Sequence, residues 1–175
     1  QQDGYPGYGG VFIESLLGLS ESPPSGIYRS PLHTPLFDKI FDPVRTDRGE
    51  AASTAEVLAA PVLTTTAGCP TETSRARRVA CAIHVLGNVV GSIAAHELGH
   101  SLGLAAPYGS PTQFHNVGDR PNRLMDAGGS RPFDERAELY GKGPAVFCQQ
   151  EYAYLKTILP LHPPADPPVK RPPCD

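Results

Sequence analysis

Residues 79–103 read VACAIHVLGNVVGSIAAHELGHSLG, and the way this stretch divides decides the fold expected of the chain. Its first part, residues 79–86, alternates: Cys81, Ile83 and Val85 fall on one side and Ala82, His84 and Leu86 on the other. That is the period of a half-buried β-strand, which Gly87 would end. Asn88 then offers an N-cap for a helix over VVGSIAAHELGHSLG, and Gly103 can stop it by adopting the left-handed cap conformation. A second strand is expected in residues 10–17 (GVFIESLL), rich in apolar and β-branched side chains. A strand leading into a helix predicts an α+β domain.

Away from this stretch the signals are shorter. Residues 35–41 suggest a helix opened by its own proline. Ser53 with Glu56 spells a capping box, although the same region also reads as a strand through Pro61, Val62, Leu63 and Thr64. Residues 144–159 (PAVFCQQEYAYLKTIL) carry Val146, Phe147, Tyr154, Leu155 and Leu159 at spacings compatible with a packed helical face. The 20 prolines and 18 glycines gather at the N-terminus, in residues 22–35 and after Pro160. The expected organisation is one domain over residues 1–160, with an upper part to about 103 and a lower part over 104–160, followed by a proline-rich tail, 161–175.

At 175 residues the chain can bury one core and is expected to hold a single active site. A net charge of −3 with scattered Lys and Arg gives no footprint for nucleic acid or an anionic membrane. The longest weakly apolar stretch, residues 79–95, is interrupted by His84, Gly87, Asn88, Gly91 and Ser92, so no membrane span is expected and a soluble monomer is. The chain begins Gln1-Gln2 and its only methionine is Met125, which suggests a processed mature form that has lost a signal peptide. Cys69, Cys81, Cys148 and Cys174 have no C-x-x-C spacing and point to two disulfides in an oxidising, extracellular compartment. Of three connectivities, Cys69 with Cys81 and Cys148 with Cys174 is preferred, because each closes a short loop beside a loosely tethered segment.

The chemistry is spelled by His96-Glu97-Leu98-Gly99-His100. Two histidines four apart on a helix lie on one face, one turn above the other, so both imidazoles can converge on a tetrahedral Zn²⁺. Glu97 is placed to act on a water at that metal: zinc lowers the water's pKa and polarises a scissile carbonyl, and the carboxylate takes the proton and hands it to the leaving amine. The competing reading of each histidine is an ordinary core or surface side chain. The glutamate between them and the capped helix favour the metal.

HELGHSLGLA followed by LMD resembles the metzincin clan of zinc peptidases, locally the matrixin branch, over about residues 88–126. The clan's motif is H-E-x-x-H-x-x-G-x-x-H with a later methionine turn, and His96, Glu97, His100, Gly103 and Met125 match it. The resemblance implies a twisted sheet and the zinc helix above a cleft, with the methionine turn and a C-terminal helix below. It also implies a hydrophobic floor, not a ligand, at Met125. Ala106 stands where the clan has its third histidine and offers no ligand atom. His115, ten residues before Met125, is the first replacement, its position explained by an inserted PYGSPTQF loop. Asp119 is the second, and the third resembles thermolysin-like gluzincins, in which Glu135 or Glu138 of FDERAEL would complete the site.

Other assignments compete for the same residues. Gly99-His100-Ser101-Leu102-Gly103 also satisfies the G-x-S-x-G elbow of a serine hydrolase, with Asp126 or Asp134 and His162 following in order. An elbow needs a strand running into it, and AAHEL is helix-forming. Ala106 also admits a degenerate binding module that keeps the fold without effective metal binding. Tyr108, Tyr140 and Tyr154 are possible oxyanion donors, with packing the competing role for each. The resulting expectation is a secreted zinc metalloendopeptidase acting on protein or peptide substrates, with residues 79–86 as an edge strand that aligns the substrate by β-addition.

Overall fold

The computed structural model describes residues 11, 13–104, 115–116, 120–127, 131–159 and 170–174. Asp119, Ala106, Tyr108, His162 and the tail over 161–169 lie outside the described residues. Among the described residues the chain forms helices and no β-strand: α1 (Ile13–Leu16), α2 (Pro35–Phe41), α3 (Thr54–Ala59), α4 (Arg75–Ser101), α5 (Phe133–Arg136) and α6 (Gln149–Ile158), with short 3-10 turns between them.

The expected α+β sheet is therefore corrected, and with it the metzincin assignment, whose catalytic domain is built on a sheet. Residues 79–86 are not a strand but the early turns of α4, which starts at Arg75 and runs unbroken for 27 residues. The reason lies in its burial pattern. Ala82, Val85, Val89, His96 and Gly99 are buried, and with Ser92 they step along the chain by three and four residues, which aligns them on one helical face. Tertiary burial of that stripe outweighs the strand preference of Val79, Ile83 and Val85 and the roughly 1 kcal/mol penalty at each of Gly87 and Gly91. Asn88 caps nothing; from mid-helix its Nδ2 donates to the Ala137 carbonyl at 3.2 Å, tying α4 to the end of α5. The strand expected over residues 10–17 is likewise replaced, by α1 and a 3-10 turn over Leu17–Leu19. Substrate alignment by an edge strand at 79–86 falls with these strands.

The smaller elements follow their local spelling more closely. Thr34 accepts a hydrogen bond from Leu36 N and Pro35 fills the first turn, so α2 occupies the residues expected of it. Ser53 and Glu56 form a reciprocal capping box on α3. Arg75 Nε donates to Glu56 Oε1 at 2.8 Å, which docks α3 on the start of α4 and holds the Glu56 carboxyl down at about 2. Helix α6 begins at Gln149, later than the apolar spacing from 144 suggests, because Glu151 accepts from Cys148 N at 2.7 Å and fixes the start there.

Two apolar clusters share α4. The larger gathers Leu16, Leu19, Phe37, Ile40, Val85, Val89, Phe133 and Leu139 around its first half. The smaller gathers Leu104, Met125 and Leu155, with Leu102 and Phe147, around its end. By length and composition α4 could cross a membrane, contrary to the expectation of no such span; core helices meet the same description, and eight residues of α4 are buried here. The disulfides pair Cys69 with Cys81 and Cys148 with Cys174. The first fastens the 3-10 turn Cys69–Thr71 to α4. The second brings residues 170–174 back onto α6, where Gln149 N donates to the Pro172 carbonyl at 3.0 Å and the Arg171 guanidinium stacks 3.5 Å from the centre of the Tyr152 ring.

Candidate metal centre

The end of α4 builds the site. Gly103 adopts φ +90°, its N–H donates to the His100 carbonyl at 3.0 Å, and Leu104 N donates to the Gly99 carbonyl at 2.9 Å. These two bonds make a Schellman turn. Its consequence is chemical as well as structural, because it carries the Leu104 carbonyl to 3.1 Å from His100 Nδ1. One turn earlier, His96 Nδ1 lies 2.8 Å from the Leu124 carbonyl. A carbonyl only accepts, so both Nδ1 atoms must carry the proton and donate, which leaves a lone pair on each Nε2. Those two Nε2 atoms face each other at 3.1 Å.

Two imidazole lone pairs held that close repel unless a cation or a shared proton lies between them. Two nitrogens on a tetrahedral zinc, each about 2.0–2.1 Å from the metal, stand about 3.3 Å apart, close to this spacing. A third ring completes the group. His115 stacks on His96 with centroids 5.1 Å apart and an interplanar angle of 20°, and stands edge-on to His100 at the same centroid distance. One nitrogen from each of His96, His100 and His115 lies within 4.8 Å of the others. Burial pushes the pKa of His96 and of His115 down, and for each a neighbouring imidazole adds to the effect. The neutral ring, which is the metal-binding form, is thereby favoured.

Local backbone pairing explains how His115 arrives. Asn116 N donates to the Met125 carbonyl at 3.0 Å, and Leu124 N donates to the Val146 carbonyl at 2.9 Å. Among the described residues the Met125 segment is thus held between residues 116 and 146 by isolated bridges. Met125, 1% exposed, packs under α4 where Gly99 leaves room: a Cβ built on Gly99 would stand 2.5 Å from its sulfur. Below, Arg123 Nε pairs with Asp126 Oδ1 at 2.8 Å with both side chains fully buried, and Asp126 Oδ2 accepts from Arg120 N at 2.9 Å.

Comparison with protein-family models, with curated proteins and with solved structures finds no match. The likeness to known zinc peptidases stays within the local wording of the motif.

The remaining candidates are placed elsewhere. Glu135 is buried on α5 and pairs with Arg131 at 3.4 Å, while Glu138 follows α5 in a left-handed conformation (φ 55°); neither belongs to the histidine group. Cys148, Glu151 and Cys174 also lie close together, but their sulfurs are bonded to each other and offer no thiolate. Glu97 is half-buried and raises the pKa of His115 electrostatically, while making no hydrogen bond or ion pair of its own among the described residues. Ser101 sits in the last turn of α4, where its Oγ donates to the Leu98 carbonyl at 2.8 Å; no strand leads into it, so GHSLG does not form an elbow. Tyr154 lies against Gly103, and Tyr140 is 68% exposed beside a cavity further along α4. Sequence reasoning missed the two carbonyls that set the tautomers. Gly103 signalled the one from Leu104, and nothing signalled the one from Leu124.

Proposed function

We propose that the chain is a secreted zinc-dependent peptidase, acting as an endopeptidase on protein or peptide substrates, with His96, His100 and His115 as ligands and Glu97 as general base. The observation that carries this reading is the facing pair of Nε2 lone pairs at 3.1 Å, with each Nδ1 proton committed to a backbone carbonyl. Carbonyls in that position orient ligand rings and raise their basicity, as such partners do around zinc generally. Three protein ligands leave a fourth tetrahedral position open, the mark of a catalytic rather than a structural site.

Zinc bound there would supply Lewis acidity, making a water nucleophilic near neutral pH and polarising the carbonyl to be attacked. Glu97 follows His96 on the same helix, and its carboxylate has no competing partner among the described residues. It receives the proton given up by the water and returns it to the amine that leaves as the peptide bond breaks. Met125 packs under α4 at Gly99 as part of the apolar cluster that supports the helix end carrying His96 and His100. Two disulfides are compatible with an extracellular setting and support secretion.

The test is hydrolysis of a quenched fluorescent peptide library, read with zinc content by atomic absorption. Glu97→Ala is expected to abolish cleavage with zinc retained, and chelation to abolish it in the parent protein. Cleavage that survives chelation and is lost in Ser101→Ala would replace this reading with the serine hydrolase.

A further inference from the structure

A second feature lies along the same helix, on the side away from its end. A cavity of about 630 Å³ is lined by Thr64, Thr65, His84, Glu138, Tyr140 and Lys142, among others. Its charge balance is uneven. Lys142 Nζ is committed to Asp134 Oδ2 at 2.5 Å, whereas the Glu138 carboxylate has no hydrogen bond or ion pair among the described residues. One carboxylate is thus left to face the cavity, with threonine oxygens that retain acceptor lone pairs and the exposed ring of Tyr140 beside it. A carboxylate with hydroxyl acceptors next to an aromatic face suits a cation, and the neutral His84 ring and the hydroxyls of the lining add no charge that opposes it.

The backbone is held in an uncommon state to present these two groups. Glu138 and Tyr140 both have positive φ, 55° and 56°, in a segment where such angles disfavour any residue but glycine. The Thr66 hydroxyl donates to the Glu138 carbonyl and fixes the first of them. A smaller cavity, about 270 Å³, shares Asn88 and Glu138 with the larger one and continues past Gly87 and Gly91 to Ala95 and Leu124, beside His96. A Cβ added at Gly87 or Gly91 would meet nothing within 4 Å, so these two positions leave open space along α4, between the Asn88, Ser92, Glu135 and Arg136 side chains that also line the smaller cavity. From His84 to His96 is about 18 Å at the helical rise, which an extended peptide covers in about five residues.

We propose that the larger cavity is a subsite for a basic side chain, arginine or lysine, of an extended peptide that runs along α4 to the histidine cluster. The inference deepens the peptidase reading and depends on it only for where the peptide is cut. A guanidinium reaches Glu138 and packs on Tyr140, about five residues from the bond at the metal.

The test uses the full chain carrying Glu97→Gln, so that binding is read without turnover. Fluorescein-labelled ten-residue peptides, each with one arginine at a scanned position or with citrulline as its neutral isostere, are titrated by anisotropy. At one position the arginine peptide is expected to bind about ten-fold more tightly than its citrulline twin. Adding Glu138→Gln should erase that difference, and Tyr140→Asn, which tolerates the left-handed backbone, should reduce it several-fold. The Glu138 side chain packs beside Gly143, which the isosteric glutamine preserves, and circular dichroism of each variant checks that folding is kept. Equal binding of arginine and citrulline peptides at every position, or a preference that survives Glu138→Gln, overturns the subsite. Arginine-dependent binding with no cleavage by the parent chain would instead overturn the peptidase reading and leave the subsite standing.

Discussion

Gly103 carries more than a helix stop. Its φ of +90° is open to glycine and strained for other residues, and a Cβ there would stand 2.7 Å from the Tyr154 hydroxyl. Gly103→Ala is expected to lower stability by about 1–2 kcal/mol. Because the same turn holds the Leu104 carbonyl on His100, metal affinity should fall with it, which zinc titration of the variant would measure. Leu98→Ala, on the exposed side of the same helix, serves as the control that should change neither. His115→Ala is expected to lose most bound zinc. Retention of zinc by that variant would move the third ligand to Asp119, outside the described residues.

Among the elements, the two disulfides offer unequal tests. Cys69 and Cys81 are 12 residues apart and Cys148 and Cys174 are 26 apart, so loop entropy assigns them roughly 3 and 3.5 kcal/mol. Replacing either pair by alanine should lower the denaturant midpoint by a similar amount. Only loss of the second should also weaken metal binding, since the Cys174 carbonyl accepts from Arg123 Nη1 below the Met125 segment. The elements also show what could be read beforehand. Thr34-Pro35 and Ser53 with Glu56 are complete local instructions, and α2 and α3 obey them. Helix α4 was legible only in its second half. Residues 79–86 satisfy the strand period, and the helical stripe of 82, 85, 89, 92, 96 and 99 becomes visible only when the stretch is read through Gly87 and Asn88 instead of being divided there.

For the whole molecule, the site makes stability depend on pH. His96 and His115 are held below their ordinary value of 6.5 in the folded chain, chiefly by burial. Below 6.5 the unfolded chain therefore binds more protons than the folded one, and stability rises with pH across that window. The contribution is complete above 6.5 and is lost as pH falls through the folded-state values. Melting temperature and zinc content should decline together as pH falls below about 6.5, and a flat melting profile would contradict the buried neutral histidines. At this scale the sequence was least informative. The histidine pair is local and could be read, but a sheet was inferred from short apolar runs whose partners were never visible. The structure replaces it with one long helix shared by two cores.

The clasp of residues 170–174 on α6 has a consequence in time. The segment bearing Met125 rests on Arg123, and Arg123 is secured by the carbonyl of Cys174, about fifty residues further along the chain. During synthesis the three histidines emerge well before the residue that braces the floor beneath them. The centre therefore gains this last brace only once Cys174 has been made, and joining Cys174 to Cys148 couples its full bracing to oxidation of the last cysteine.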